Sequence, residues 1–260
     1  MIGVTDLLSI ASGSLVGLTL GLVGGGGSIL AVPLLVYVVG VSQPHIAIGT
    51  SAVAVAASAA ANLFTHARMG TVKWPCALVF AAAGIIGAAA GAALGKAVNG
   101  EILLSLFGAL MIAIGFYMLW PRRQGENPDV RLTSQSAAHL LPRLVGLGLP
   151  VGLFSGFFGI GGGFLIVPGL VRATAMPLLN AIGSARVAVT AVGLTTAASY
   201  AVSGLVDWRI STLFVVGGVV GGVLGAWLAR KLAREKRVLS YVFAGIVVTV
   251  GAYVVLKGLL

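Results

Sequence analysis

The chain is poor in charge. Of its 260 residues only 8% are Asp, Glu, Lys or Arg, about a third of the share with which a soluble domain coats its surface. A water-soluble globule is excluded on that ground. Intrinsic disorder is excluded too, because it needs low hydrophobicity and high charge, and 58% of this chain is apolar. Acid is scarcest: six Asp and Glu stand against 16 Lys and Arg. No two carboxylates share an apolar segment, so general acid–base hydrolysis has no candidate pair. The single cysteine, Cys76, rules out an intrachain disulfide and a thiol-rich metal site. It reads as a small buried hydrophobe. No His/Asp/Glu cluster has metal-ligand spacing, and no P-loop is present to bind ATP. These absences argue against an enzyme and against a pump driven directly by ATP. Asp6 is the only charge before Arg68, so the first apolar stretch lacks the basic flank of a cleavable signal peptide.

What the chain has in quantity is apolar residues and 39 glycines, with a mean hydropathy of +1.09. About 20 apolar residues cross a bilayer, and lipid admits only helices or closed barrels. A barrel needs alternating polarity, which the run from Ala52 to Ala61 lacks. The reading is an all-α polytopic membrane protein. Apolar segments fall near 7–23, 28–40, 45–66, 74–96 and 102–120, and again near 144–158, 163–173, 177–203, 209–230 and 238–259. The long polar stretch 121–129 separates the two sets. The basic residues lie between apolar segments, so membrane loops explain them better than nucleic-acid binding.

The two sets correspond. At a shift of 135 residues Gly17, Gly21, Gly24, Gly26, Gly27, Pro33 and Leu35 meet Gly152, Gly156, Gly159, Gly161, Gly162, Pro168 and Leu170. At a shift of 134, Ala47-Ile48-Gly49 meets Ala181-Ile182-Gly183, Trp74 meets Trp208 and Glu101 meets Glu235. Residues 1–121 and 139–260 therefore read as two membrane repeats joined by a linker at 122–138. Each repeat opens with a pair of short apolar segments split by a glycine cluster, Gly24-Gly25-Gly26-Gly27 or Gly159-Ile160-Gly161-Gly162. Each Gly costs a helix about 1 kcal/mol relative to Ala, so both clusters are expected to break helices. If each broken pair spans once, the halves run parallel and the basic residues divide eight against seven. If each is a re-entrant hairpin followed by three full spans, the halves are inverted. One face then collects Arg68, Lys73, Arg122, Arg123, Arg131, Arg143, Arg172, Arg230, Lys231, Arg234, Lys236 and Arg237. The other keeps Lys96, Arg209 and Lys257. The positive-inside rule favours the inverted arrangement, with the linker cytoplasmic in the cell (inner) membrane and both termini outside.

Broken membrane helices expose unpaired N–H groups at a positive helix end, and transporters use such ends to hold anions near the midplane. The candidate substrate-binding residues follow: Gly26, Gly27 and Ser28 at the first break, Gly161, Gly162 and Gly163 at the second. Gly49-Thr50-Ser51 and Gly183-Ser184 lie near the start of the long helix after each pair. There small residues let backbone approach, and the hydroxyls can donate to an oxyanion. Arg186 lies inside a span, where a charge is a functional candidate by default, and its fork suits two oxygens. Position 52, its counterpart, is Ala. His45 and His66 are candidates for proton coupling. Gly87, Gly91 and Gly95, and Gly217, Gly221 and Gly225, form small faces for packing within the chain or across a homodimer.

The run Gly24-Gly25-Gly26-Gly27-Ser28-Ile29-Leu30-Ala31-Val32-Pro33, followed by Ala47-Ile48-Gly49-Thr50-Ser51, resembles the sulfite exporter TauE/SafE family. The second copy, Gly159 through Pro168, resembles that family's repeated signature. The resemblance implies a permease in a bacterial or archaeal plasma membrane for sulfur-containing anions such as sulfite or organosulfonates. It implies secondary transport without a bound cofactor. The glycine-broken helices suggest alternating access around the anion; H+ and Na+ are the candidate coupling ions, and the sequence does not say which, if either, drives transport. Alternatives are an anion channel on the same breaks, a permease for another small carboxylate or anion, and a subunit whose glycines serve only packing.

Overall fold

A computed structural model describes residues 3–23, 26–119, 130, 132–231 and 236–259. Among these residues all regular structure is helical. The helices are α1 (Val4–Val23), α2 (Ala31–Tyr37, preceded by a 3-10 turn at Gly27–Leu30), α3 (Pro44–Arg68), α4 (Trp74–Ala97), α5 (Gly100–Leu119), α6 (Ser134–Phe158), α7 (Gly163–Thr174), α8 (Leu178–Val202), α9 (Trp208–Lys231) and α10 (Lys236–Leu259). Eight of them are long and apolar enough to cross a membrane, while 27–37 and 163–174 are not. The all-helical polytopic reading holds.

The first arm of each broken pair is longer than the sequence suggested. α1 has 20 residues and α6 has 25, about 30 and 37 Å at 1.5 Å per residue. α6 starts ten residues before the apolar segment at 144. Thr133 caps it, accepting from the Ser136 N–H while the Ser136 hydroxyl accepts from the Thr133 N–H. Pro142 and Pro150 lie inside the helix without ending it. Only the returning arms are short, so each half has four helices long enough to cross a membrane where the sequence suggests two short members and three full spans.

Glycine contacts fix how the helices run. α1 lies along α9 in parallel: a Cβ at Gly13 would strike the Phe214 carbonyl, and one at Gly17 the Gly218 carbonyl. α4 and α6 pair the same way, Gly87 against Leu149 and Gly91 against Leu153. The glycine faces 87/91/95 and 217/221/225 are thus occupied within the chain, by α6 and α1. α3 and α8 are antiparallel, with Gly49 on Leu205, Gly193 on Ala56 and Gly183 on Thr71. α5 and α10 are antiparallel through Gly108, Gly115 and Gly251. α7 runs back along α6, because Gly162 meets Ser155 and Gly169 meets Val151. The starts of α1 and α9 share one end of the bundle, joined by an Asp6–Arg209 ion pair at 2.7 Å. The start of α3 shares that end with the end of α8, through the Thr50 contact to Asp207. α4 begins at the other end, where Lys73 meets Ser184 at the start of α8, and α6, parallel to it, enters from there.

The two short arms are the driest part of the fold. Ile29, Leu35, Ile160, Ile166 and Leu170 are fully buried. The outside is apolar: Leu78, Ile86 and Leu94 of α4 are among its exposed side chains.

Candidate functional site

The second break is a built turn. Gly159, Gly161 and Gly162 all have positive φ, at 66°, 61° and 67°. This left-handed region costs an L-residue roughly 1–2 kcal/mol. Space forbids a side chain as well: a Cβ at Gly159 would strike Ile48, and one at Gly161 would strike Val55. The Ser51 hydroxyl lies 2.8 Å from the Ile48 carbonyl and 3.2 Å from the Gly159 carbonyl, which ties α3 to the turn. Gly162 caps α7, with Leu165 and Ile166 donating to its carbonyl. The first amides of α7 have no carbonyl one turn back to accept from them.

At the first break Gly24 and Gly25 lie outside the described residues. Gly27 starts the 3-10 turn, as Gly163 starts α7. Gly26 faces the Phe243 ring and Gly27 faces Thr19 and Leu20. Ser28 is buried, and its hydroxyl has no partner. The 27–30 turn touches α7, so the fold brings the two breaks together.

The paired motifs on α3 and α8 also have a structural job that their spacing did not show. The Thr50 hydroxyl accepts from the Asp207 N–H at 3.0 Å, and the Ser184 hydroxyl accepts from the Lys73 N–H at 2.9 Å. Gly49 lies under the Leu205 carbonyl and Gly183 under Thr71. Each motif therefore anchors the turn ahead of a distant helix, α9 or α4. Asp207 caps α9, accepting from the Ile210 N–H at 2.9 Å.

Arg186 is 8% exposed. It sits on the α8 face between Gly183, which packs on Thr71, and Gly193, which packs on Ala56. Its Nε is buried without a hydrogen-bond partner. Among the described residues no carboxylate pairs with it; the Arg209–Asp6 ion pair lies at one end of the bundle. The second break is close: a Cβ at Gly161 would lie 3.7 Å from Val189, one turn along α8 from Arg186. Ala52, the counterpart of Arg186, is fully buried.

His45 Nε2 lies 3.2 Å from the Gly95 carbonyl and 3.1 Å from the Val98 carbonyl. Two acceptors require that nitrogen to carry the hydrogen, so His45 caps the end of α4. His66 Nδ1 lies 3.0 Å from the Thr71 hydroxyl, which packs against Gly183, one turn before Arg186 on α8. Lys96 caps α8 through the Ser199 carbonyl and the Ser203 hydroxyl. Among the described residues no three His, Cys, Asp or Glu side chains gather as metal ligands. Sequence reasoning missed Ser155, a fully buried serine whose hydroxyl has no partner. The available signal was its spacing, seven residues before Gly162, which puts it in the last turn of the arm that enters the break.

Eight helices long and apolar enough to span a membrane, two of them broken and followed by short returning arms, with a lone buried cation among the described residues, are the outline of a transport protein. The chain matches the family described as Sulfite exporter TauE/SafE over residues 9–254, and it belongs to that family. It is 50% identical to a "Probable membrane transporter protein" of Xylella fastidiosa strain 9a5c, over 96% of this chain and 94% of that one. It is 27% identical to "Probable membrane transporter protein YunE" of Bacillus subtilis, over 82% of each. It is 28% identical to a "Probable membrane transporter protein" of Haemophilus influenzae, over 76% of this chain and 74% of that one. No solved structure matches it. The chain is a multi-pass membrane transporter and not an enzyme.

Proposed function

We propose that this transporter is a secondary permease for a sulfur-containing oxyanion, such as sulfite or an organosulfonate. The observation that carries the reading is Arg186. A guanidinium in a membrane interior is costly, and this one has neither a carboxylate partner among the described residues nor a bond at Nε. A bound anion supplies the missing counter-charge, and a planar fork suits two of its oxygens. The adjacent break contributes the amides of Gly161, Gly162 and Gly163, and Gly26, Gly27 and Ser28 approach from the other break. Ser51 holds the second break in place, while Gly49, Thr50, Gly183 and Ser184 hold the two turns that border the site.

Alternating access follows from an inverted repeat of residues 1–121 and 139–260. The helix pairings support this. Exchanging the two repeats turns the α1–α9 contact into the α6–α4 contact and leaves the α3–α8 and α5–α10 contacts unchanged. α1 and α6 enter from opposite ends. The basic-residue bias then puts the 122–138 linker in the cytoplasm of a cell bearing this chain in its inner membrane. His66, bonded to Thr71 against the turn of α8 that precedes Arg186, is the better placed of the two histidines to couple a proton. His45 is occupied by carbonyls, and Na+ is the other coupling ion to test.

The test is flux in proteoliposomes. Radiolabelled sulfite should exchange saturably, compete with sulfoacetate, and respond to a proton or Na+ gradient. Arg186→Gln should cut the rate by tenfold or more at equal protein. Unchanged exchange in that variant would remove Arg186 from the site and with it the main support for the reading.

A further inference from the structure

Among the described residues five buried side-chain polar atoms lack a hydrogen-bond partner. They are the hydroxyls of Ser12, Ser28, Ser155 and Tyr200 and the Nε of Arg186. A serine or threonine inside a helix ordinarily satisfies itself on the carbonyl three or four residues back. Ser9, Thr190, Thr195 and Thr196 all do so here. Ser155 does not. It is 0% exposed, and its Oγ stands 2.6 Å from where a Cβ on Gly162 would be. The hydroxyl is therefore aimed at the cap of α7. The Ser155 carbonyl meanwhile accepts from the N–H groups of Gly159 and Ile160, which fixes its backbone to the turn. α7 has 12 residues, enough for a positive N-terminal end with orphan amides.

The matching place at the first break is filled differently. Gly27 faces Leu20 and the Thr19 hydroxyl, which lies 2.6 Å from where its Cβ would be, but that hydroxyl is satisfied on the Leu15 and Val16 carbonyls; Gly26 faces Phe243. The first break returns through a 3-10 turn of four residues that runs directly into α2, whereas α7 is α-helical from its first residue. Ser155 and Arg186 both belong to the second repeat, and their counterparts, Leu20 and Ala52, are apolar.

We propose that Ser155 is a substrate-binding residue, its hydroxyl donating to an oxygen of the anion held at the first amides of α7. The anion then sits at the second break and is not shared evenly between the two. This rests on the permease reading above and narrows it to one helix end.

The test combines calorimetric titration of sulfite and sulfoacetate into the full purified chain with melting in the absence of anion. Ser155→Ala should bind at least one of these anions about tenfold more weakly, while Ser155→Cys, of similar size but a poorer donor, should fall between it and the parent. Melting of Ser155→Ala without anion should be unchanged or raised, because the variant deletes an unsatisfied buried hydroxyl. Ser12→Ala, which deletes the orphan hydroxyl on α1, should leave affinity unchanged. Parent-like affinity in Ser155→Ala would overturn the assignment and leave the permease reading standing. A lowered melting temperature in Ser155→Ala would also overturn it, by showing that the hydroxyl is satisfied within the fold. A parent protein that binds neither anion would remove the permease reading and this assignment together.

Discussion

Gly91 and Gly146 are the same residue with opposite reasons for being there. A Cβ at Gly91 would run into the Leu153 carbonyl, whereas one at Gly146 meets nothing within 4 Å. Gly91→Ala must push α4 and α6 apart, and overpacking of this kind costs about 1–3 kcal/mol. Gly146→Ala, in the middle of α6, should gain about 0.4–1 kcal/mol by restricting the unfolded chain and favouring the helix. Melting temperatures in detergent should therefore move in opposite directions, and equal shifts would contradict the packing described. Composition and spacing identified Gly91 as part of a packing face but could not name its partner, because that partner is backbone on α6. Arg186 was legible as a buried cation from its place in an apolar run. That its Nε stays unpaired was not, since that depends on what α3 brings to the same interface.

Helices are where the sequence spoke most clearly and where its silence is most instructive. The glycine clusters marked both breaks, and Gly27 and Gly163 start the returning arms as expected. The length of α6 was not legible, because its start depends on a reciprocal cap between Thr133 and Ser136 and not on hydropathy. The hydroxyls of Thr50 and Ser184 were read as oxyanion donors or as bonds to their own helix. In the fold they accept the amides of Asp207 and Lys73, 157 and 111 residues away in sequence, a role that leaves the hydroxyl hydrogens unused. Pairing over that separation leaves no local pattern. Ser184→Ala should strand the Lys73 amide, costing about 1–3 kcal/mol. It should speed hydrogen exchange across residues 71–74 while leaving the Thr50 end of the bundle unchanged. Uniform exchange at both ends would show that the anchor is not local. At the second break Gly162→Ala combines a φ of 67° with a contact on Ser155, so it should both lower the melting temperature and weaken anion binding.

At the scale of the whole molecule, charge and packing point the same way by independent routes. Counting basic residues divides the chain into a face with twelve and a face with three when the halves are inverted. Helix directions, read from glycine contacts, bring α1 and α6 in from opposite ends. Reporter fusions should therefore find both termini on one side and residues 122–138 on the other, in the cytoplasm. A cytoplasmic C-terminus would contradict the arrangement. Hydropathy made the membrane class legible; the asymmetry of the site was not, because a repeat signal shows what two halves share and hides where they differ. The most direct measurement of the central claim is a thermal-shift scan of the purified protein against sulfite, sulfate, thiosulfate, sulfoacetate, taurine and chloride. A ligand at a hundred times its Kd stabilises the folded state by about 2.7 kcal/mol. The account predicts a selective, saturable rise in melting temperature with a sulfur oxyanion, absent with chloride and lost in Arg186→Gln. No shift with any of the sulfur anions, or the same shift in Arg186→Gln, would contradict it.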